Sequence, residues 1–134
     1  MSLTIVIDCL DPDALVGFWC TALDYRPVDV PGLDGYRVLV PDDAQPGAPV
    51  VALQQVSEPR TGKNRVHLDV HPADLWARVA DLEALGGRRR GEPVTEWLPV
   101  LGTWWQVMTD PEGSELCVVA DIATQPPPAA RGVA

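Results

Sequence analysis

The chain reads as one order of elements written twice, and this doubling limits what it can fold into more than any other feature. Shifted by 63 residues, Thr4 falls on His67, Asp8 on His71, Asp11 on Asp74 and Gln54 on Cys117, while the run ALQQV overlies ELCVV. Each half predicts a strand, a helix and then three strands. In the first half, residues 3–9 predict a strand because Ile5, Ile7 and Cys9 alternate with Thr4, Val6 and Asp8. Asp11 is placed to cap a helix with Pro12 in its first turn, and Leu15, Phe18, Trp19, Ala22 and Leu23 follow along one face until a stop near Asp24. A stretch rich in Pro, Gly and Asp follows, holding a short strand at residues 36–40 and a loop at 41–49, before a strand at 50–56.

Residues 57–64 (SEPRTGKN) read as a linker, after which the pattern restarts. Residues 65–71 predict a strand with Val66, Leu68 and Val70 on one face and His67, Asp69 and His71 on the other. Leu75, Val79 and Leu82 mark a second helix that stops at Gly86 and Gly87. Residues 103–109 and 114–120 predict a hairpin around a type I turn, with Pro111 second and Gly113 fourth. Module one therefore spans 3–56 and module two 65–120, within a single domain of residues 1–122 followed by a flexible tail at 123–134. The predicted class is α+β. Two such modules bury their apolar strand faces under their own helices, and the more polar faces then line a shared cup.

Composition excludes several classes of function. The 134 residues suffice for one self-supporting domain, and 46% hydrophobic content argues against disorder. Ten Lys and Arg against nineteen Asp and Glu leave a net charge of -9, which is unsuited to nucleic acid or anionic membranes. No apolar run approaches the roughly 20 residues of a membrane span. Three cysteines, no CxxC pair and no signal-peptide pattern predict a reducing, cytoplasmic setting.

The combination of the D-C-x-D-P start, the KNRVHLDV strand and the DPEGSELCVV hairpin, across a doubled module, resembles the glyoxalase and bleomycin-resistance group, the vicinal oxygen chelate superfamily. The likeness runs over about residues 3–120 and is nearest to the glyoxalase-like branch. It implies paired βαβββ modules forming a cupped mixed sheet, frequent homodimers, and a divalent metal or an organic ligand in the cup. The metal positions of the family fall on Thr4, Gln54, His67 and Cys117. Only His67 keeps a usual ligand type, so the resemblance combined with these residues implies that the metal site is lost, with no cofactor needed although a divalent metal stays possible.

Each candidate carries a functional and a structural reading. His67 is a pocket residue, a proton carrier or a lone ligand; with Asp69 and His71 it would form an improvised metal site, against Asp69 simply accepting a hydrogen bond from Arg65 or His67. Asp8 is a base if desolvated and a capping carboxylate otherwise. Cys117 is a nucleophile only if a partner such as His67 lowers its pKa; Cys9 and Cys20 read as core. Gln54 suits a hydrogen bond to a ligand or across the sheet. Of the five tryptophans, Trp19 reads as core and Trp76 as a helix edge or dimer contact. Trp104 and Trp105 must face opposite ways, with Trp105 taken as the one in the cup, and the Trp97 segment is a candidate flap. Arg88, Arg89 and Arg90 read as a solvated strand end or an anion site, while Lys63 and Arg65 are placed to help position the interface between modules.

Three functions follow. The first is a metal-free small-molecule-binding protein using Thr4, Gln54, His67, Asp69, Trp105 and Cys117. The second is a lyase, isomerase or dioxygenase by family analogy, in which His67, Asp8 or Cys117 would be catalytic. The third is a resistance protein that sequesters a cationic aromatic drug.

Overall fold

In the computed structural model, which describes residues 1–43 and 45–128, the doubled order is present as two four-stranded sheets. Module one comprises β1 (Thr4–Cys9), α1 (Pro12–Leu23), β2 (Tyr25–Val28), β3 (Tyr36–Pro41) and β4 (Val50–Gln55). Module two comprises β5 (Leu68–Val70), α2 (Leu75–Ala84), β6 (Arg88–Arg89), the one-turn α3 (Leu98–Leu101), β7 (Thr103–Thr109) and β8 (Glu115–Asp121). The strand orders are β1-β4-β3-β2 and β5-β8-β7-β6, so the two sheets repeat one topology. In each, the first and last strands pair in parallel and the other pairs are antiparallel.

Local chemistry explains the helices. The carboxylate of Asp11 accepts from Ala14 N at 3.3 Å, so α1 begins at the predicted cap, and Asp74, which overlies Asp11 in the repeat, caps α2 in the same way through Ala77 N at 3.0 Å. Their buried faces are Pro12, Leu15, Phe18, Trp19 and Ala22 in α1, and Leu75, Val79 and Leu82 in α2. At Gly87 a Cβ would stand 2.6 Å from the Phe18 ring and 2.9 Å from the Leu82 carbonyl oxygen, so this close approach requires glycine.

Two strands differ from expectation. β2 is the third strand that the doubled order requires after α1, at a position the local pattern does not mark because it contains Pro27, which a central strand does not accommodate; it forms at the sheet edge, where it pairs with β3 alone. β5 is shorter than residues 65–71, and Val66 is 77% exposed instead of sharing the apolar face of Leu68 and Val70. Its partner β8 begins at Glu115, whose carbonyl accepts from the Asn64 side-chain amide, so the chain before Leu68 leaves the ladder. Of the tail expected at 123–134, residues 129–134 lie outside the described residues. Gln125 is tied down: its side chain accepts from Leu75 N and donates to Pro72 O, and its carbonyl accepts from Trp104 Nε1 at 2.7 Å.

One core serves both modules. Ile5, Ile7 and Cys9 of β1 and Leu53 of β4 join Leu116, Val118 and Ala120 of β8 with Trp104 and Met108 of β7, around the two helices. Module two also completes both ends of α1. Glu112 accepts from Leu10 N at 2.7 Å and Asp11 N at 3.0 Å before the helix starts. At the other end, Arg78 donates to the carbonyls of Thr21 and Ala22 at 2.8 and 3.1 Å and pairs with Asp24. An anion at the N-terminal end and a cation at the C-terminal end both complement the helix dipole. Between them, Trp19 Nε1 donates to the buried carboxylate of Asp110 at 3.1 Å.

Replacing Trp19 by Phe keeps most of the apolar volume but leaves that carboxylate oxygen without its donor. Trp19→Phe is expected to cost about 1–3 kcal/mol, read as a lower urea midpoint at unchanged slope. An unaltered midpoint would show that the bond contributes nothing to joining the modules.

Candidate functional site

Strand alternation sorts module two into a core face and an open face. On β7, Trp104 and Met108 point into the core while Thr103, Trp105 and Val107 point away; on β8, Leu116 and Val118 are core while Glu115, Cys117 and Val119 oppose them. On and beside β5, Leu68 and Val70 are core, and His67, Asp69 and His71 take the other side. The open face, with Lys63 from the linker and Leu101 from α3, lines a cavity of about 330 Å³. Its walls divide into an apolar part (Leu101, Trp105, Val107, Val119) and a polar part.

At the centre of the polar part, Asp69 pairs in register with Cys117 across β5 and β8, with His67 two residues earlier on the same face. His67 Nε2 lies 3.2 Å from Asp69 Oδ1, and the Cys117 thiol faces the same carboxylate. One ligand atom from each of the three falls within 4.8 Å of the others. Burial, followed by the charge of Asp69, pushes the Cys117 thiol up to about 11, so it is protonated at neutral pH and is no ready nucleophile.

Beside this trio sits Glu115, 3% exposed, whose carboxylate accepts from Arg60 at 3.0 Å, from Arg90 at 3.4 Å and from Lys63. The Lys63 hydrogen bond is the chief reason its carboxyl is held below the ordinary value, with burial opposing and the charges of Lys63, Arg90 and Arg60 adding to it. Composition and spacing gave no sign of this cluster, because its members are spread from residue 60 to residue 115.

The other candidates are placed as follows. Thr4 and Gln54 lie on the module-one sheet, and among the described residues none of module one lines the 330 Å³ cavity. Gln54 donates to the Tyr36 hydroxyl at 2.7 Å, opposite it in register. Asp8 is exposed and faces a separate polar hollow with Cys9, Glu58, Arg60, Lys63 and Glu112. Cys9 is buried, with its thiol pushed up to about 12 by burial and neighbouring acids, and Cys20 packs partly buried against the core. Trp76 leans on Trp104 at 5.8 Å and carries the Arg89 guanidinium at 4.8 Å from its ring. Arg89 pairs with Glu83 and Arg90 with Glu115, so two members of the arginine run have acidic partners. From the expected flap, Leu101 lines the cavity; Trp97 is 48% exposed and is not among the lining residues.

The family's metal positions do not fit a metal here. Thr4 and Gln54 offer a neutral hydroxyl and a neutral amide, and of the four positions only His67 keeps the family's usual ligand type.

The glyoxalase-like domain family model matches residues 4–119. No curated protein matches the chain at a significant level. Among solved structures, the fold is similar to a glyoxalase/bleomycin resistance protein/dioxygenase family enzyme from Burkholderia phytofirmans, with a TM-score of 0.66 and 16% identity over 87% of this chain and 95% of that one. A glyoxalase/bleomycin resistance protein from Albidiferax ferrireducens gives 0.67 and 16%, covering 88% and 97%. A member of the same superfamily from Sphaerobacter thermophilus gives 0.64 and 19%, covering 90% and 97%.

Glu115 makes the site's electrostatics measurable. Its folded carboxyl binds a proton less readily than in the unfolded chain, so its contribution to stability is present above 4.5 and lost as pH falls through its lower folded value. Glu115→Gln is therefore expected to melt below the wild type at pH 7, and the gap should narrow as pH drops below 4.5. A gap independent of pH would show that the cation cluster does not act through the carboxylate charge.

Proposed function

The chain belongs to the glyoxalase-like domain family, and from that premise we propose that it is a small-molecule-binding protein working without the family's usual metal. The observation that carries this reading is the 330 Å³ cavity, with its apolar wall of Leu101, Trp105, Val107 and Val119 facing the polar trio His67, Asp69 and Cys117. Such a division suits an organic ligand with an apolar body and few polar anchors. Trp105 offers a ring face, the Cys117 thiol and Thr103 hydroxyl offer neutral hydrogen bonds, and Asp69 holds the His67 ring in place.

A homodimer is part of the proposal. Thr4 and Gln54 do not reach the module-two cavity of their own chain, and Val6 between them in the fold is 50% exposed. If the four equivalent positions meet around one opening, they do so between two copies. One observation favours a second reading, a metal-dependent lyase or dioxygenase: the His67, Asp69 and Cys117 donor atoms lie within 4.8 Å of one another.

Native mass spectrometry of the protein as isolated separates these readings. The expected spectrum is a dimer without a stoichiometric divalent ion, and Val6→Glu should shift it to monomer. One divalent ion per chain, lost in His67→Ala, would replace the binding reading with the metal-dependent one.

A further inference from the structure

Beside the cavity stands a cluster of positive charge, set against the negative balance of the whole chain. Three cations, Arg60, Lys63 and Arg90, converge on the single buried carboxylate of Glu115, and one anion cannot neutralise three. Asp69, the other carboxylate in the cavity wall, already has the His67 imidazole 3.2 Å from its Oδ1. Lys63 lines the cavity and is 71% exposed; an ammonium has three N–H donors, and among the described residues only Glu115 takes one. His71, exposed on the same wall, adds a second group able to donate.

We propose that the cavity takes a small organic acid, its carboxylate held by the Lys63 ammonium beside the Glu115 cluster and its apolar body laid against Trp105, Leu101, Val107 and Val119. The net charge of -9 does not oppose this. Charges elsewhere on the surface are screened over about 8–10 Å at physiological salt, whereas Lys63 acts at contact distance. A cationic ligand would meet the Lys63 ammonium and the cations gathered on Glu115, and a neutral one would make no charge-assisted bond to Lys63. The inference rests on the small-molecule reading above and names its substrate class.

The test uses three probes of one shape: 3-phenylpropionate, 3-phenylpropionamide and 3-phenylpropylamine, titrated calorimetrically into the full chain. A charge-assisted hydrogen bond should make the acid bind about tenfold or more tightly than the amide. The preference should weaken with added salt, vanish in Lys63→Gln and survive in Lys63→Arg. In the Gln variant Glu115 keeps Arg60 and Arg90, and a thermal melt checks that it remains folded. Equal binding of acid and amide, or an acid preference that persists in Lys63→Gln, would overturn the acid inference and leave the small-molecule reading standing. Tightest binding by the amine would overturn it in favour of Asp69 as the anchor. If none of the three binds the folded protein, both readings fall together.

Discussion

Asp110 is 2% exposed, and its two carboxylate oxygens work in different directions. Oδ1 accepts from the backbone N–H groups of Glu112 and Ser114, both at 2.9 Å, which shapes the turn between β7 and β8. Oδ2 accepts from Trp19 on the helix of the other module. Burial raises this carboxyl above its ordinary range despite those three donors, so desolvation outweighs the hydrogen bonds that favour its charged form. The arrangement persists because the turn it shapes also presents Glu112 to the start of α1, and because Phe18, next to Trp19, fills the space that Gly87 leaves open. Loss of any one of these contacts would loosen the seam on which the relative placement of the modules depends.

That placement decides what the site is made of. With the core residues of both modules gathered into one cluster around α1 and α2, the opposite faces of the two sheets are turned away from the shared interior. The module-two face becomes a cavity walled by its own strands, its α3 turn and the linker lysine. The module-one face keeps Gln54 occupied with Tyr36 and leaves Val6 half exposed. The joint that stabilises the chain is thus also the reason that equivalent positions of the two halves do not converge within it.

Much of the fold was legible because its determinants are local. The cap at Asp11, the stop at Gly86 and Gly87, and the opposite facing of Trp104 and Trp105 all follow from short-range periodicity and turn chemistry. The faces of His67, Asp69 and Cys117 were readable for the same reason, since alternation assigns a side without saying what lies opposite. What escaped depends on distance along the chain. Pro27 argues against a strand until the edge position of β2 is known, and the peeling of Val66 depends on an Asn64 bond to β8. The Glu115 cluster and the Asp110 bond to Trp19 join residues 25 to 91 positions apart, beyond the reach of any pattern.

The two halves also differ in chemistry where they agree in topology. Thr4 and Gln54 answer to His67 and Cys117 under the 63-residue offset, and Asp8 answers to His71. The module-one members are a hydroxyl, an amide that donates to Tyr36 and an exposed carboxylate, whereas the module-two face gathers two imidazoles, two carboxylates and a thiol beside the linker ammonium. A duplicated fold needs its apolar alternation and its caps in both copies, because each module must build its own sheet and helix. Glu115 marks the divergence most clearly: its counterpart under the offset is Ala52, 8% exposed, so a cation cluster occupies one module where the other has a methyl group. Polarity of this kind is costly to bury without partners, and its presence with three cations assembled around it is the clearest physical difference between the two halves of the chain.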